Sequence, residues 1–267
     1  MVRYPAVAGQ FYPGTEEELK LYLSTFCRSD VPKVKAKAVV VPHAGYIYSG
    51  RVAGETYSRV EIPGLNVIMG PNHTGLGRPV SVYPGGVWLT PLGEVPVEEE
   101  VASLLASRTP FEADTSAHIY EHSLEVQLPF LQFCSRFKED LSIVPIVFQH
   151  ISYEDCVAAG EILSEVLSRR DALIVISTDF SHYVSQEEAE TYDSMAIEAI
   201  LNLDPEELYR RVHAYNISMC GVIPATVGIV AAKLLGAKGA ELVSYRTSGD
   251  VTGDYSQVVG YAGIIIY

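Results

Sequence analysis

The chain has few basic residues, and it has no long apolar run. Its 19 lysines and arginines stand against 33 aspartates and glutamates, which gives a formal net charge of −14 at pH 7. Nucleic-acid binding is not expected, because a surface that follows phosphates needs clustered positive charge. No stretch reaches the roughly 18 apolar residues of a membrane span, and the N-terminus has no apolar segment of signal-peptide length. We therefore expect a soluble cytoplasmic protein.

Cysteines are also few, and several catalytic signatures are missing. The four cysteines are scattered and form no C-x-x-C pair, which disfavours a zinc ribbon and a disulfide framework. The sequence has no G-x-S-x-G elbow and no H-E-x-x-H motif, and its GPNHTGLG stretch lacks the residues that complete a P-loop. These absences exclude the commonest serine hydrolases, zinc proteases and P-loop nucleotide-binding proteins.

Runs rich in valine and isoleucine alternate with segments of helical pattern. The runs are KAVVVP, LNVIMG, LSIVPIVF, ALIVIST and the C-terminal VVGYAGIIIY. Continuous apolar runs of this length indicate strands that are buried on both faces. The helical patterns begin at Thr15, Pro96, Glu121, Glu154 and Gln186. The alternation predicts an α/β fold with a mostly parallel central sheet flanked by helices.

Two further segments refine this prediction. The stretch GRPVSVYPGGVWLTPLGEVPVEEE consists of short runs broken by proline and glycine, which predicts a small β excursion. The stretch CGVIPATVGIVAAKLLGA is apolar but contains Pro224, Thr226 and Lys233, so it predicts a buried helix rather than a membrane span. Because no linker or repeat divides the chain, residues 1–267 are predicted to form a single domain.

Polar side chains follow three of the predicted strands. His43 comes after KAVVV, His73 after LNVIM, and Asp179 and His182 follow ALIVIS in the stretch ISTDFSHY. In open α/β sheets ligands bind beyond the carboxyl ends of the strands, so these side chains can converge although they are distant in sequence. One histidine after a strand is more often a hydrogen-bonded loop residue, but three in this arrangement predict a site.

Cys220, Glu121 and His122 stand near predicted helix starts. The N-terminus of a helix favours a thiolate, although Cys220 alone would be read as a small buried hydrophobic residue. Imidazoles together with a thiolate suit zinc, iron or copper. His122 is either a site residue or an ordinary first-turn residue, and Glu121 can be a partner of the helix dipole. The remaining histidines are predicted to be ordinary surface or core residues: His118, His150 and His213.

The chain resembles the Memo family in seven separated blocks that occur in the family's order. The blocks are RYPAVAGQFYP, PHAGYIYSG, GPNHTG, EHSLEVQLPFLQ, STDFSHY, CGVIPA and VVGYAGIIIY. The resemblance runs from Arg3 to the C-terminus and points to a prokaryotic member, of the type described as protein B of the AmmeMemoRadiSam system. That family is similar in fold to the class III extradiol dioxygenases, so the resemblance implies a LigB-like α/β domain.

The resemblance also implies roles for individual residues. His43 and His73 correspond to two histidine ligands of a metal, and Cys220 takes the place of the carboxylate ligand of the dioxygenases. Asp179 and His182 correspond to a polar wall of the pocket, and we count His122 with them as a catalytic residue. The implied metal is iron or copper, with zinc also compatible. Because a soft thiolate replaces a hard carboxylate, extradiol ring cleavage is not carried over.

Three functions fit these observations. The first is a metal-dependent redox or dioxygenase-like enzyme of unknown substrate, in which His182 is a general acid or base oriented by Asp179. The second is a non-catalytic module that binds a small molecule, a peptide or a partner protein; the resemblance implies AMMECR-type and radical SAM partners. The third is a metal-free cysteine enzyme in which His182 activates Cys220.

Overall fold

The structure is a computed structural model that describes residues 1–136 and 140–267. The strands in these ranges are β1 (Val2–Arg3), β2 (Ala38–Val41), β3 (Leu65–Pro71), β4 (Val80–Val82), β5 (Val87–Thr90), β6 (Gly93–Pro96), β7 (Glu112–Ala113), β8 (Ser142–Phe148), β9 (Ala172–Ser177), β10 (His182–Val184), β11 (Ala240–Thr247) and β12 (Val258–Ile266). The helices are α1 (Glu16–Phe26), α2 (Tyr46–Ser58), α3 (Glu99–Ala106), α4 (Leu128–Cys134), α5 (Tyr153–Leu167), α6 (Gln186–Leu201), α7 (Pro205–Ala214), α8 (Val222–Leu234) and α9 (Gly249–Thr252). Short 3-10 turns span Ser116–His118 and Glu125–Gln127.

The fold is α/β, and its central sheet is mixed. Strands β2, β9, β3 and β8 are parallel neighbours in that order. Strand β12 pairs antiparallel with β2, β10 and β11, while β4 pairs antiparallel with β8. The prediction of a mostly parallel sheet was therefore wrong. An apolar run reveals that a strand is buried but not its direction, and the short connection from β11 to β12 leads to an antiparallel pair.

Helices cover the parallel strands in two packed groups. Helices α1, α2 and α4 pack on one another, while α8 packs on α5, α7 and the strands β9 and β3. Every residue of β2 is buried, which is typical of a strand that is covered on both faces. The apolar segment of Val222–Leu234 forms the buried helix α8, as predicted. Within the described ranges, no helix is long and apolar enough to cross a bilayer.

The predicted β excursion is present but divides between two sheets. Strand β4 joins the central sheet, whereas β5 and β6 form a small sheet with β1. The buried guanidinium of Arg3 pairs with the buried carboxylate of Glu125, which also accepts a hydrogen bond of 2.6 Å from the Tyr12 hydroxyl. The backbone carbonyl of Phe11 accepts a hydrogen bond of 2.8 Å from the N–H of Tyr46. These contacts hold the N-terminal segment against the Glu125–Gln127 turn and the start of α2.

Four of the helical patterns correspond to α1, α3, α5 and α6, whereas the pattern that begins at Glu121 was extended too far. Residues there form an irregular stretch and a 3-10 turn, and the α-helix begins only at Leu128. The carboxylate of Glu121 accepts the backbone N–H groups of His122 and Ser123 at 3.0 and 2.9 Å. Local side-chain acceptors of this kind compete with the helical hydrogen-bond pattern.

Candidate metal centre

The carboxyl ends of three adjacent parallel strands bring the predicted site residues together. His43 follows β2, His73 follows β3, and Asp179 follows β9, which lies between those two strands. Val41 is paired in register with Ser177, and Met69 with Ile176 of the same strand, so the three strands end side by side. The strand ends that were predicted to converge therefore do so. His43 and His73 belong to one histidine group, whereas His182 lines the same cavity outside that group.

Three histidines form a compact group at this edge of the sheet. One ligand nitrogen from each of His43, His73 and His122 lies within 4.8 Å of those of the other two. The ring centroids are 5.2 Å apart for His43 and His73, 5.6 Å for His43 and His122, and 4.8 Å for His73 and His122. Such a set of imidazoles could hold one metal ion. The third member is His122, which the sequence analysis counted among the catalytic residues and not among the metal ligands.

The hydrogen bonds around His43 fix which of its nitrogens carries the proton. The Ser177 hydroxyl has a single hydrogen, which it donates to the carbonyl of Ser123 at 2.6 Å. Ser177 Oγ therefore accepts at its other contacts, from the Gln127 amide at 2.9 Å and from His43 Nδ1 at 3.0 Å. With the proton on Nδ1, the lone pair of His43 is on Nε2, as a metal ligand requires.

His73 is held in the same way by a carboxylate. His73 Nδ1 lies 2.9 Å from Glu121 Oε1, and the other oxygen of this buried carboxylate accepts the backbone N–H of His73. Burial acts to raise the pKa of Glu121, but the hydrogen bond and charge of His73 lower it to about 2. A carboxylate behind a histidine is the arrangement that commonly orients metal-bound imidazoles.

The pKa shifts of the three imidazoles have different causes. Burial, together with the neighbouring His73 and His122, keeps the pKa of His43 well below its ordinary value. Burial also lowers the pKa of His122. For His73, burial acts to lower the pKa, but the hydrogen bond and charge of Glu121 outweigh it and raise the pKa. His43 and His122 are thus neutral at pH 7, which is the protonation state of a metal ligand.

Cys220 lies beside this group but is held mainly by the backbone of Asp179. Its Sγ is 3.3 Å from His43 Nε2, 3.3 Å from the backbone nitrogen of Asp179 and 3.5 Å from the carbonyl oxygen of the same residue. Burial and the charge of Asp179 raise the pKa of the Cys220 thiol, although the helix start had been expected to favour a thiolate. A metal-free Cys220 nucleophile is therefore disfavoured.

Gly221 explains why the CGVIPA segment approaches the end of β9 so closely. The backbone N–H of Gly221, the residue before α8, donates a hydrogen bond of 2.9 Å to Thr178 Oγ1. A Cβ at Gly221 would lie 2.4 Å from the Cβ of Thr178, so only glycine fits without a shift of the backbone. This approach places Cys220 against His43 and Asp179.

Asp179 and His182 border the cavity but do not hydrogen-bond to each other. Asp179 Oδ1 accepts the backbone N–H of His43 at 2.8 Å, and its Oδ2 is 3.9 Å from His43 Nε2. His182 Nδ1 lies 2.9 Å from the carbonyl oxygen of Ser218, whose hydroxyl also accepts the backbone N–H of His182. Because a carbonyl only accepts, His182 Nδ1 carries the proton and Ser218 orients this ring, a role that the sequence had assigned to Asp179.

The histidines form one wall of an open cavity of about 420 Å³. Aromatic residues supply much of the remaining lining, and no lysine or arginine lines it within the described part of the chain. The Phe11 ring packs on His122 at a centroid distance of 4.8 Å, and Tyr183 stands at the mouth with 73% of its surface exposed. Tyr183 has a φ of 57° at an irregular pairing of β10 with β12, so its backbone is strained where the cavity opens.

These features define a class: an α/β protein with a candidate metal pocket at the carboxyl ends of its parallel strands. A family model described as Memo-like protein matches residues 3–265. The chain is 52% identical over 265 residues to a MEMO1 family protein of Aquifex aeolicus, covering 99% of this chain and 98% of that one. It is 44% and 43% identical to MEMO1 family proteins of Methanosarcina mazei and Methanopyrus kandleri, over 269 and 281 residues and 99% of each chain. The chain belongs to the Memo family, which confirms the resemblance found in the sequence.

Proposed function

We propose that the protein binds a redox-active transition metal, iron or copper, through His43, His73 and His122 and acts on a small ligand in the adjoining cavity. The observation that carries this proposal is the meeting of three imidazole nitrogens within 4.8 Å of one another. Imidazoles suit iron and copper, and also zinc, so the donor set fits the metals that the family resemblance implies. The hydrogen bonds of His43 Nδ1 and His73 Nδ1 also support the proposal, because each of them leaves Nε2 of the ring for a metal.

Cys220, which the family resemblance implied as the third ligand, is the alternative to His122. We favour His122 because its ligand atom lies near those of both His43 and His73, whereas Cys220 Sγ contacts only His43 of the three. The contact of Cys220 with the backbone of Asp179 also supplies the sulfur with partners that do not require a metal. Loss of the thiol proton would have to accompany metal binding if Cys220 were a ligand.

In this proposal the side chains next to the metal ligands handle protons and position the substrate. A bound metal would supply activation of O₂ or of water, according to its identity. His182 would donate or accept a proton through Nε2, because Ser218 holds its Nδ1. Asp179 would fix the loop that carries His43 by accepting that residue's backbone N–H. The aromatic lining suits an uncharged ligand, since the described lining offers no lysine or arginine.

The likeness in fold to class III extradiol dioxygenases belongs to the same proposal. It is supported by the position of the site beyond the carboxyl ends of β2, β3 and β9. A single domain, cytoplasmic location and AMMECR-type and radical SAM partner proteins are further expectations from the sequence and the resemblance. The net charge of −14 argues against nucleic acid as a partner.

Metal analysis tests both the proposal and its ligand set. Protein purified anaerobically without an affinity tag is analysed for iron, copper and zinc, with His122→Ala and Cys220→Ser measured alongside the wild type. We expect near-stoichiometric iron or copper in the wild type and in Cys220→Ser, and little in His122→Ala. Retention in His122→Ala with loss in Cys220→Ser would replace His122 by Cys220 as ligand. No metal after anaerobic reconstitution would refute the proposal.

The mouth of the cavity favours a second candidate function, a non-catalytic binding module. Tyr48 and Tyr183 are exposed there, and exposed aromatic side chains are common in surfaces that bind peptides or proteins. If this function is correct, a captured peptide or partner should bind the metal-free protein, and Tyr183→Ala should weaken binding. Turnover of a small substrate that depends on the metal would instead favour the enzyme.

A further inference from the structure

Two cysteines that are distant in the sequence meet on the surface away from the metal centre. Cys27 follows the last residue of α1, and Cys134 is the last residue of α4. Their Sγ atoms lie 3.2 Å apart, although 107 positions separate the two residues. Both side chains are half-buried. The scattered spacing disfavoured a disulfide framework, but the packing of α1 against α4 supplies a pair of adjacent thiols.

The two thiols border an open cleft of about 450 Å³, which we call the dithiol cleft. Its lining includes the cationic residues Arg28, Lys33 and Arg136, and no carboxylate lines it within the described ranges. Lys33 Nζ lies 3.2 Å from the carbonyl oxygen of Cys134, and Arg28 pairs with an exposed aspartate outside the lining. In a chain with a net charge of −14, this concentration of positive charge favours a small anionic ligand.

We propose that Cys27 and Cys134 form a dithiol site that a small anionic disulfide, bound in the dithiol cleft, oxidises to an intramolecular disulfide. The Sγ atoms need to approach by about 1.2 Å to reach the bond length of a disulfide. Both residues stand at helix ends, where a small movement disturbs few backbone hydrogen bonds. The inference is independent of the metal centre and of its proposed function.

The reaction proceeds by two successive thiol–disulfide exchanges. The Cys134 thiol loses its proton to solvent, and its sulfur attacks one sulfur of the small disulfide; a mixed disulfide forms and one small thiolate leaves and takes up a proton. The Cys27 thiol then loses its proton, and its sulfur attacks the Cys134 sulfur and displaces the second small thiol. Two protein thiols are oxidised, and one small disulfide is reduced to two thiols.

The order of attack follows from the surroundings of the two sulfurs. The hydrogen bond with Cys134 raises the pKa of the Cys27 thiol, burial raises it further, and the charge of Lys33 lowers it only in part. The Lys33 ammonium lies beside Cys134, with its Nζ 3.2 Å from the carbonyl oxygen of that residue, so the first attack is assigned to Cys134 and Cys27 acts second, as the resolving thiol.

Oxidised glutathione, an anionic disulfide, is the probe for the test. The reduced full-length protein is mixed anaerobically with it, and the remaining thiols and the disulfide-linked peptides are identified by mass spectrometry. We expect the wild type to lose both thiols and to yield the Cys27–Cys134 peptide without bound glutathione. Cys27→Ser should instead retain one glutathione on Cys134. The matched control is Cys156→Ser, which changes a fully buried cysteine and should react like the wild type.

The charge of the dithiol cleft is tested separately with hydroxyethyl disulfide, a neutral probe. Relative to a small dithiol in solution, the protein should favour oxidised glutathione over the neutral disulfide by roughly tenfold, and Lys33→Gln should remove most of this preference. Lys33→Gln keeps both cysteines, so this result does not depend on whether a cysteine variant folds. Unreacted thiols, glutathione left on both cysteines of the wild type, or equal rates with the two disulfides would overturn the proposal.

Discussion

The histidines of the candidate metal centre and the buried His118 lie in two regions that hold the imidazole ring in opposite ways. In the candidate metal centre, Nδ1 of His43 and Nδ1 of His73 are hydrogen-bonded to other residues of the protein, and each Nε2 is left for a ligand. At His118 the bond is on Nε2, which lies 3.1 Å from the carbonyl oxygen of Ser81, and Nδ1 is buried without a hydrogen-bond partner among the described residues. Burial alone therefore does not prepare a histidine for a metal. In the proposed metal centre the prepared histidines have Nδ1 hydrogen-bonded to the protein and Nε2 left for a ligand.

The largest expected effect separates the two regions by metal content. His43→Ala should lose nearly all bound metal, because a proposed ligand is removed from a group of three. His118→Gln should keep wild-type metal content, since His118 packs against Tyr83 and Trp88 instead. Elemental analysis of the two purified variants makes the comparison, with thermal unfolding to show that each is folded. Equal metal contents in the two variants would contradict the proposal that His43 binds the metal and His118 does not.

A pH dependence of stability is the next largest effect, and His118 contributes a defined part of it. Burial lowers the pKa of His118 from 6.5 to about 4 in the folded protein. Between these values the unfolded chain binds more protons, so the free energy of unfolding of the metal-free protein should fall as the pH falls from about 6.5 to about 4. The loss attributable to His118 should be about 3 kcal/mol.

Urea unfolding over this pH range measures the effect. His118→Gln should make the profile shallower without flattening it, because burial also lowers the pKa of His43 and His122 in the metal-free protein. The substitution should also lower stability at pH 7. The matched control is His213→Gln, which changes an exposed histidine and should leave the profile as it is in the wild type. If the free energy of unfolding depends on pH as steeply in His118→Gln as in the wild type, groups other than His118 cause the dependence.

Glu121→Gln tests whether the carboxylate next to His73 contributes to metal affinity. The amide would hold His73 Nδ1 less strongly, and its NH₂ group cannot accept the backbone N–H groups that the carboxylate accepts. Metal affinity should therefore fall by about 10- to 100-fold. Competition with a chelator of known affinity measures this, with Glu112→Gln as an exposed carboxylate control. An unchanged affinity would show that Glu121 does not orient His73.

The smallest expected effect comes from removing the Ser177 hydroxyl, which accepts a hydrogen bond from His43 Nδ1. Ser177→Ala removes the acceptor of His43 Nδ1, and the loss of one hydrogen bond of about 1 kcal/mol corresponds to roughly fivefold weaker metal binding. The same competition assay applies. Ser164→Ala is the matched control, because Ser164 is a buried serine whose hydroxyl bonds within α5. A larger loss in Ser164→Ala than in Ser177→Ala would contradict the role of the hydroxyl.

The sequence was sufficient to predict the parts of the site that depend on strand ends. His43 and His73 follow apolar runs that became β2 and β3, and the side-by-side ends of parallel strands brought the two together. Local pattern was enough here, because the position of each residue relative to its own strand decided where it lies. The direction of β12 could not be read in this way, since burial on both faces is the same for either direction.

The place of His122 beside His43 and His73, and the contact of Glu121 with His73, could not be predicted because long-range contacts position both residues. The Arg3 guanidinium donates hydrogen bonds to the backbone carbonyls of His118 and Glu121 at 3.2 and 2.6 Å, across more than a hundred residues of sequence. The Arg3–Glu125 pair holds the other end of this stretch. No periodicity in EHSLEVQLPFLQFC reports such contacts, so the pattern suggested a helix where the chain forms an irregular loop.

Trp88 is the single tryptophan of the chain, and its place in the fold gives the protein an optical signal of limited range. Its ring centroid is 5.9 Å from that of His118, and the Arg3 guanidinium lies over it at 4.4 Å. Tryptophan emission therefore reports on the packing of the Arg3 guanidinium and on the charge of His118. A spectroscopist who follows unfolding by fluorescence observes that region, and events confined to the histidine pocket need a different chromophore.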